Sequence, residues 1–230
     1  MSAGPSIGAT DATGAVRAVV AKDLRLLWRQ RSGWVSAGTF AAITILTFSF
    51  ALDLATGDVR PLLPGVLWVT FLFAGIIASG HSFAQEEEQG TFDAMLLAPV
   101  PRTALYLGKA IANLIALSTI EVAVLGLATI LFGITLLTPE LALITLIGTI
   151  GYVSMTTLLS TMGGQARARA VLLPVLSLPL LVPLLIAAVQ ATGGALGEPT
   201  GSAPWMLLLS VFTLWSVLGA ALLFPLVVER

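Results

Sequence analysis

Few residues in this chain could do chemistry, and Glu121 is the most conspicuous of them. It lies in the middle of an apolar run, Ala110–Leu131. A carboxyl group at the centre of a bilayer costs roughly 2.5–3.5 kcal/mol on insertion scales, so it must face the interior of a bundle or be protonated. In that position it could line a substrate path or a subunit contact; equally, it could hydrogen-bond a Ser, Thr or Trp of a neighbouring helix. No base lies near it in the sequence to complete a proton relay.

His81 is the one histidine, beside Gly80 and Ser82 near the end of a second apolar run. A metal site needs several converging ligands and haem needs an axial His, Met, Cys or Tyr, so a lone histidine reads first as a surface or interface residue. Neither a metal site nor a ligand set for haem is expected. The absence of cysteine excludes disulfides, thiolate catalysis and cysteine-ligated iron–sulfur clusters. A Ser-His-Asp set cannot be assembled around a single histidine at a membrane edge. There is no phosphate loop either: Lys22 and Lys109 are the only lysines, Gly108-Lys109 is followed by alanine, and position 103 is not glycine. If ATP drives this protein, another chain binds it.

The elements that must position these residues are membrane helices. A hydrophobic fraction of 57%, 10% charged residues and a mean hydropathy of +0.99 describe a polytopic helical membrane protein. Six segments meet the roughly 20 apolar residues that a bilayer core of about 30 Å requires: Trp34–Leu52, Leu62–Ala84, Ala110–Leu131, Leu141–Thr161, Val171–Val189 and Met206–Val228. The second carries Trp68. The fifth carries Pro174, Pro179 and Pro183, each of which removes a backbone donor, so a bent or broken helix is expected there, serving either as the border of a path or as a packing kink.

With six spans, ten of the eleven basic residues fall on one side and only Arg60 on the other. The positive-inside rule makes that side cytoplasmic and places both termini there. Residues 1–14 are small and polar, with Gly4, Gly8 and Gly14, and read as a disordered tail; residues 15–230 read as one six-span domain. The basic stretch and the first apolar run lack a clean cleavage site and do not read as a signal peptide. Ala15–Arg31 reads as an amphipathic interfacial helix, with Val16, Val20, Leu24, Leu27 and Trp28 on one side and Lys22, Arg25 and Arg29 on the other. It either braces the bundle and touches a partner or anchors to the membrane surface. Asp23 falls on the apolar side, so that face is narrow or Asp23 has a polar partner on it.

The longest polar interruption is Gln85–Lys109. Glu86, Glu87 and Glu88 stand where a helix dipole favours negative charge at a helix start. Phe92, Met95, Leu96 and Leu97 then give a narrow apolar face before Pro99 and Pro101 stop it. This pattern describes a short helix at a membrane surface, or a loop with gatekeeping charges.

The order acidic cluster, Gly90-Thr91, Leu96-Leu97, APVPR and Gly108-Lys109 resembles the coupling segment of six-span ABC exporter permeases. Further stretches are similar to the haem exporter permeases, the B subunits of the cytochrome c maturation system: KDLRLLWRQRSGW, FSFAL, PGVLWVTFLFAG, SFAQEEEQGTFDAMLLAPVP and LLPVLSLPLLVPLLI. The resemblance covers nearly the whole chain beyond the first 14 residues. It implies a homodimer in the bacterial inner membrane, with Glu86 to Leu97, within a coupling segment 85–104, docked into a separate ATPase subunit that binds the ATP. It also implies a haem-presenting membrane subunit and a periplasmic haem chaperone as partners, with ATP hydrolysis tied to haem handling or release of the loaded chaperone. No enzyme activity of its own and no nucleic-acid partner are expected. A general exporter of lipid or drug-like molecules and a non-transporting membrane scaffold remain as alternatives.

Overall fold

The computed structural model describes residues 12–29, 32–53, 58–88, 102–162, 166–199 and 201–228. Side chains are described within 13–26, 33–52, 58–79, 103–159, 178–199 and 201–224. Among the described residues every regular element is an α-helix: α1 (Ala12–Arg29), α2 (Ser32–Asp53), α3 (Leu63–Glu88), α4 (Arg102–Phe132), α5 (Pro139–Met162), α6 (Ala166–Ala195) and α7 (Ala203–Val228). Five of them, α2, α4, α5, α6 and α7, contain a stretch long and apolar enough to cross a membrane. In α3 the described apolar part, Leu63–Ser79, is shorter. All six apolar runs seen in the sequence are therefore helices.

Local chemistry accounts for where helices stop and start. Gly133 ends α4 in the left-handed region at φ 64°, its N–H donating to Thr129 O at 3.1 Å, a conformation that costs a glycine no Cβ clash. The Thr129 hydroxyl accepts the Leu136 N–H at 3.2 Å. Thr138 then caps α5, its hydroxyl accepting the Leu141 N–H at 3.2 Å, with Pro139 in the first helical position, where a missing N–H is harmless.

α5 is the most buried of the spans and α2 the least. α5 packs against α4, α6 and α7; α3 packs against α2, α4 and α6; α2 touches only α3 and α4 strongly. One apolar cluster threads this arrangement, with Leu63, Leu67, Ile144, Leu184, Ala188 and Leu209 among its fully buried members. α6 is continuous through Pro174, Pro179 and Pro183, so the three prolines do not break it. Pro179 and Pro183 are exposed on its outer face, while Leu181, Leu184 and Ala188 point inward.

Two expectations change at the other end of the bundle. Glu86, Glu87 and Glu88 close α3 instead of opening a helix; Glu is a good helix former, and propagation out of the apolar stretch carries the helix through them. α1 begins at Ala12, inside the stretch read as tail, and packs along the first turns of α4. Its inner face is set by Val19, which is buried, and Gly108 is the reason the two helices come so close. A Cβ at Gly108 would lie 2.6 Å from Val19 Cβ and 3.3 Å from the Val16 carbonyl oxygen.

Asp23 has the polar partner its position demanded. One carboxyl oxygen lies 3.8 Å from the buried ammonium of Lys109, the other 2.9 Å from Lys22 Nζ. Arg25 is exposed; the side chains of Trp28 and Arg29 lie outside the described residues. Asp23→Ala removes the carboxylate facing a buried cation and is expected to destabilise the protein by about 3 kcal/mol. Lys22→Ala, at a partly exposed site, is expected to cost less than about 1 kcal/mol. Thermal unfolding of the detergent-solubilised protein checks this order.

Candidate functional site

α4 contains 31 residues, a length of about 46 Å, and α3 with 26 residues about 39 Å. Both are longer than the roughly 30 Å hydrocarbon core; α3 ends at residue 88 and α4 begins at residue 102. Gly90, Thr91, Phe92, Met95, Leu96 and Leu97 fall between those ends, outside the described residues. So do the side chains of Glu86, Glu87, Glu88, His81 and Pro174.

Inside the bundle, α4 presents one polar stripe to α5. Tyr106, Asn113 and Glu121 are spaced seven and eight apart, which puts them on one helical face. The Tyr106 hydroxyl donates to Ser154 O at 3.2 Å, and the Asn113 amide donates to the Thr157 hydroxyl at 3.3 Å. Glu121 is 2% exposed; the Thr149 hydroxyl lies 2.7 and 2.8 Å from its two carboxyl oxygens and 2.7 Å from the Thr145 carbonyl. Among the described residues, Glu121 thus faces a hydroxyl of a neighbouring span, one of the two roles its sequence position allowed.

Trp68 belongs to the same layer. It is buried, and its indole N–H donates to the Thr192 hydroxyl of α6 at 2.9 Å. Its ring meets Phe71 edge-on at 5.7 Å and lies over Gly148, where a Cβ would be 2.2 Å from the ring. Trp68 and Glu121 are therefore brought to consecutive residues of α5, Gly148 and Thr149. Pro179 and Pro183 are not brought to them. Tyr152, also on α5, donates to Leu72 O of α3 at 3.2 Å, and Thr213 of α7 donates to Ile147 O at 3.0 Å.

What this arrangement does is tie spans together. α5 is held to α3, α4 and α7 by side-chain hydrogen bonds, and α1 is held to α4 at Gly108 and the Asp23–Lys109 pair. Among the described residues no group of three or more His, Asp or Glu side chains converges on a point. Sequence reading passed over Tyr106, Asn113, Thr149, Tyr152 and Thr192. The available signal was the spacing of Tyr106, Asn113 and Glu121 within an otherwise apolar helix.

Thr149→Val leaves the Glu121 carboxyl without its described donor and is expected to cost about 1–3 kcal/mol. Glu121→Gln brings an amide donor of the same shape and is expected to stay within about 1 kcal/mol of the parent. The shift in the unfolding midpoint measures both.

A family model described as CcmB protein matches residues 14–229. The chain is 31% identical to Heme exporter protein B of Rhodobacter capsulatus over 178 residues, covering 74% of this chain and 79% of that relative. It is 29% identical to Heme exporter protein B of Pseudomonas aeruginosa over 210 residues, 85% and 89% of the two chains. With Heme exporter protein B of Paracoccus denitrificans the identity is 28% over 208 residues, 86% and 93%.

Proposed function

Because the chain belongs to the CcmB protein family and is a multi-pass protein of the bacterial inner membrane, we propose that it is the membrane subunit of an ABC transporter complex for cytochrome c biogenesis. It crosses the membrane six times with both termini in the cytoplasm and works as a homodimer. The ATP is bound and hydrolysed by a separate ATPase subunit, which docks on Glu86 to Leu97. Hydrolysis there drives haem handling or the release of a haem-loaded periplasmic chaperone, to which a second membrane subunit presents the haem. The chain itself is not the enzyme.

The observation that carries this reading is the family match over residues 14–229, which takes in the segment between α3 and α4 as well as every span. The lengths of those two helices support it, because each exceeds the hydrocarbon core. α4 is then the lever: a push on that segment enters α4 at Arg102, moves α1 with it, and reaches α5 through Tyr106, Asn113 and Glu121.

The deciding experiment is a covalent-haem stain of cytochromes c in cells lacking this protein, with a blot for the haem-bound chaperone. Loss of mature cytochromes while haem-loaded chaperone persists is the expected result. Normal cytochromes would move the assignment to a general exporter of lipid or drug-like molecules. Failure to co-purify with any ATP-binding subunit would instead mark the chain as a membrane scaffold.

A further inference from the structure

Two voids lie beside α2. The first is a crevice of about 10 Å³ where Trp34 of α2 meets Gly75 and Ser79 of α3, Asn113 of α4 and Tyr152 of α5, room for one water-sized group. The second is a groove of about 230 Å³ walled by Gly38 and Ala42 of α2 and by Ala123, Val124 and Leu127 of α4. Trp34, Gly38 and Ala42 recur every four residues, which stacks them on one face of α2 over about 12 Å. The exposed Ala123 and Thr119 put the groove at the outer surface of the bundle.

The two voids differ in chemistry. Trp34 presents a buried indole N–H that has no acceptor among the described residues, and buried donors are rarely left so. The groove offers apolar walls; its one hydroxyl, Thr119, already donates to Ile115 O at 2.8 Å. No side-chain hydrogen bond joins the described residues of α2 to another helix, whereas α4 and α5 are joined at Asn113 and Glu121.

A ligand for the α2–α4 seam has an acceptor oxygen at one end and a narrow hydrocarbon body. The groove is below the roughly 300 Å³ at which pockets for drug-sized ligands begin, so it suits a single chain and not a ring system. Trp34 is two residues into α2 and at the start of its apolar stretch, Gly33–Leu52, and tryptophan side chains gather where a bilayer carries ester and headgroup oxygens. Gly38, Ala42 and Leu127 lie deeper, at the level of acyl chains. We propose that the α2–α4 seam is a phospholipid site: an acyl chain occupies the groove, and an ester or headgroup oxygen of the same lipid accepts the Trp34 hydrogen bond.

The test uses the full-length protein, extracted with its membrane partners into nanodiscs that contain a phospholipid bearing a mid-chain diazirine. Illumination is expected to label peptides carrying Gly38–Ala42 and Ala123–Leu127. Gly38→Leu fills the groove from a position whose Cβ meets nothing within 4 Å and is expected to abolish that label. Trp34→Phe keeps the ring, removes the donor and is expected to lower labelling roughly threefold to tenfold, the equilibrium equivalent of one net hydrogen bond. Equal labelling of the parent and Gly38→Leu would overturn the site, and an unchanged yield in Trp34→Phe would overturn the role of the indole. Because the chain has no cysteine, Ala42→Cys reports on its own surroundings; a disulfide-linked pair of chains would show a second copy in the groove and overturn the proposal. These readouts do not depend on cytochrome maturation, so the lipid site and the proposed function fail separately.

Discussion

Gly148→Ala is expected to destabilise this protein severely, although the same change in an ordinary helix interior stabilises by about 1 kcal/mol. The new Cβ would lie 2.2 Å from the Trp68 ring, well inside van der Waals contact. The ring is held from its far side, because its N–H donates to Thr192 on α6. It can yield only by leaving that hydroxyl or by pushing α3 away from α5. Overpacking of this kind costs about 1–3 kcal/mol, and an indole N–H stranded in an apolar interior about 1–3 kcal/mol more. Against a total stability of about 5–15 kcal/mol, that predicts a large fall in the yield of monodisperse protein and in its unfolding midpoint. A Trp68→Leu background removes the ring, so Gly148→Ala should cost far less there, and the difference measures the coupling of the two sites. A Gly148→Ala protein as stable as the parent would contradict this packing.

Charge reversal at Glu86, Glu87 and Glu88 is the second large effect. Replacing all three with Lys is expected to abolish cytochrome c maturation while the protein accumulates in the membrane at parental levels. The structure makes the variant informative, because these residues occupy the last turn of α3, where the helix dipole prefers a cation by about 0.3–1 kcal/mol per residue. Lysine therefore does not unravel the helix, and loss of function points to a lost contact with the proposed ATPase subunit. ATPase activity of the purified complex should become independent of its membrane partners. Normal cytochromes in the triple variant would remove the docking role from this segment.

The helices were legible in the sequence to within a few residues at most ends, because each is dictated locally. Without water, a membrane span must satisfy its own backbone, so a long apolar run has no alternative to helix. The Thr138-Pro139 start of α5 could be read in the same local way. The largest discrepancy is at α4, which begins at Arg102, eight residues before Ala110. Tyr106 and Lys109 lower the hydropathy there, yet both are buried, Lys109 beside Asp23 of α1. That stretch packs against a neighbour that hydropathy does not see.

Helix faces were much less legible. Leu67 is fully buried and Val69, two residues on, is about half exposed, but lipid is as apolar as the protein interior and no hydrophobic contrast separates the two sides. Polar and small residues mark the inner faces instead, as Asn113, Glu121, Thr149, Gly148 and Gly108 do. Asp23 is the instructive case. Its misfit on the apolar side of α1 predicted a polar partner, and Lys109, 86 positions along the chain, supplies it.

By itself, then, the sequence determined the class of protein, the helical state of its apolar runs and the approximate bounds of those helices. All of these follow from hydropathy, backbone hydrogen bonding and residue types over short windows. Only the tertiary structure decided which helix is central, that Glu121 meets Thr149 while Trp68 spans from Gly148 to Thr192, and that α2 packs on α3 and α4. Those pairings depend on side chains far apart in the chain meeting across faces that lipid and protein make equally apolar, and no local pattern encodes that choice.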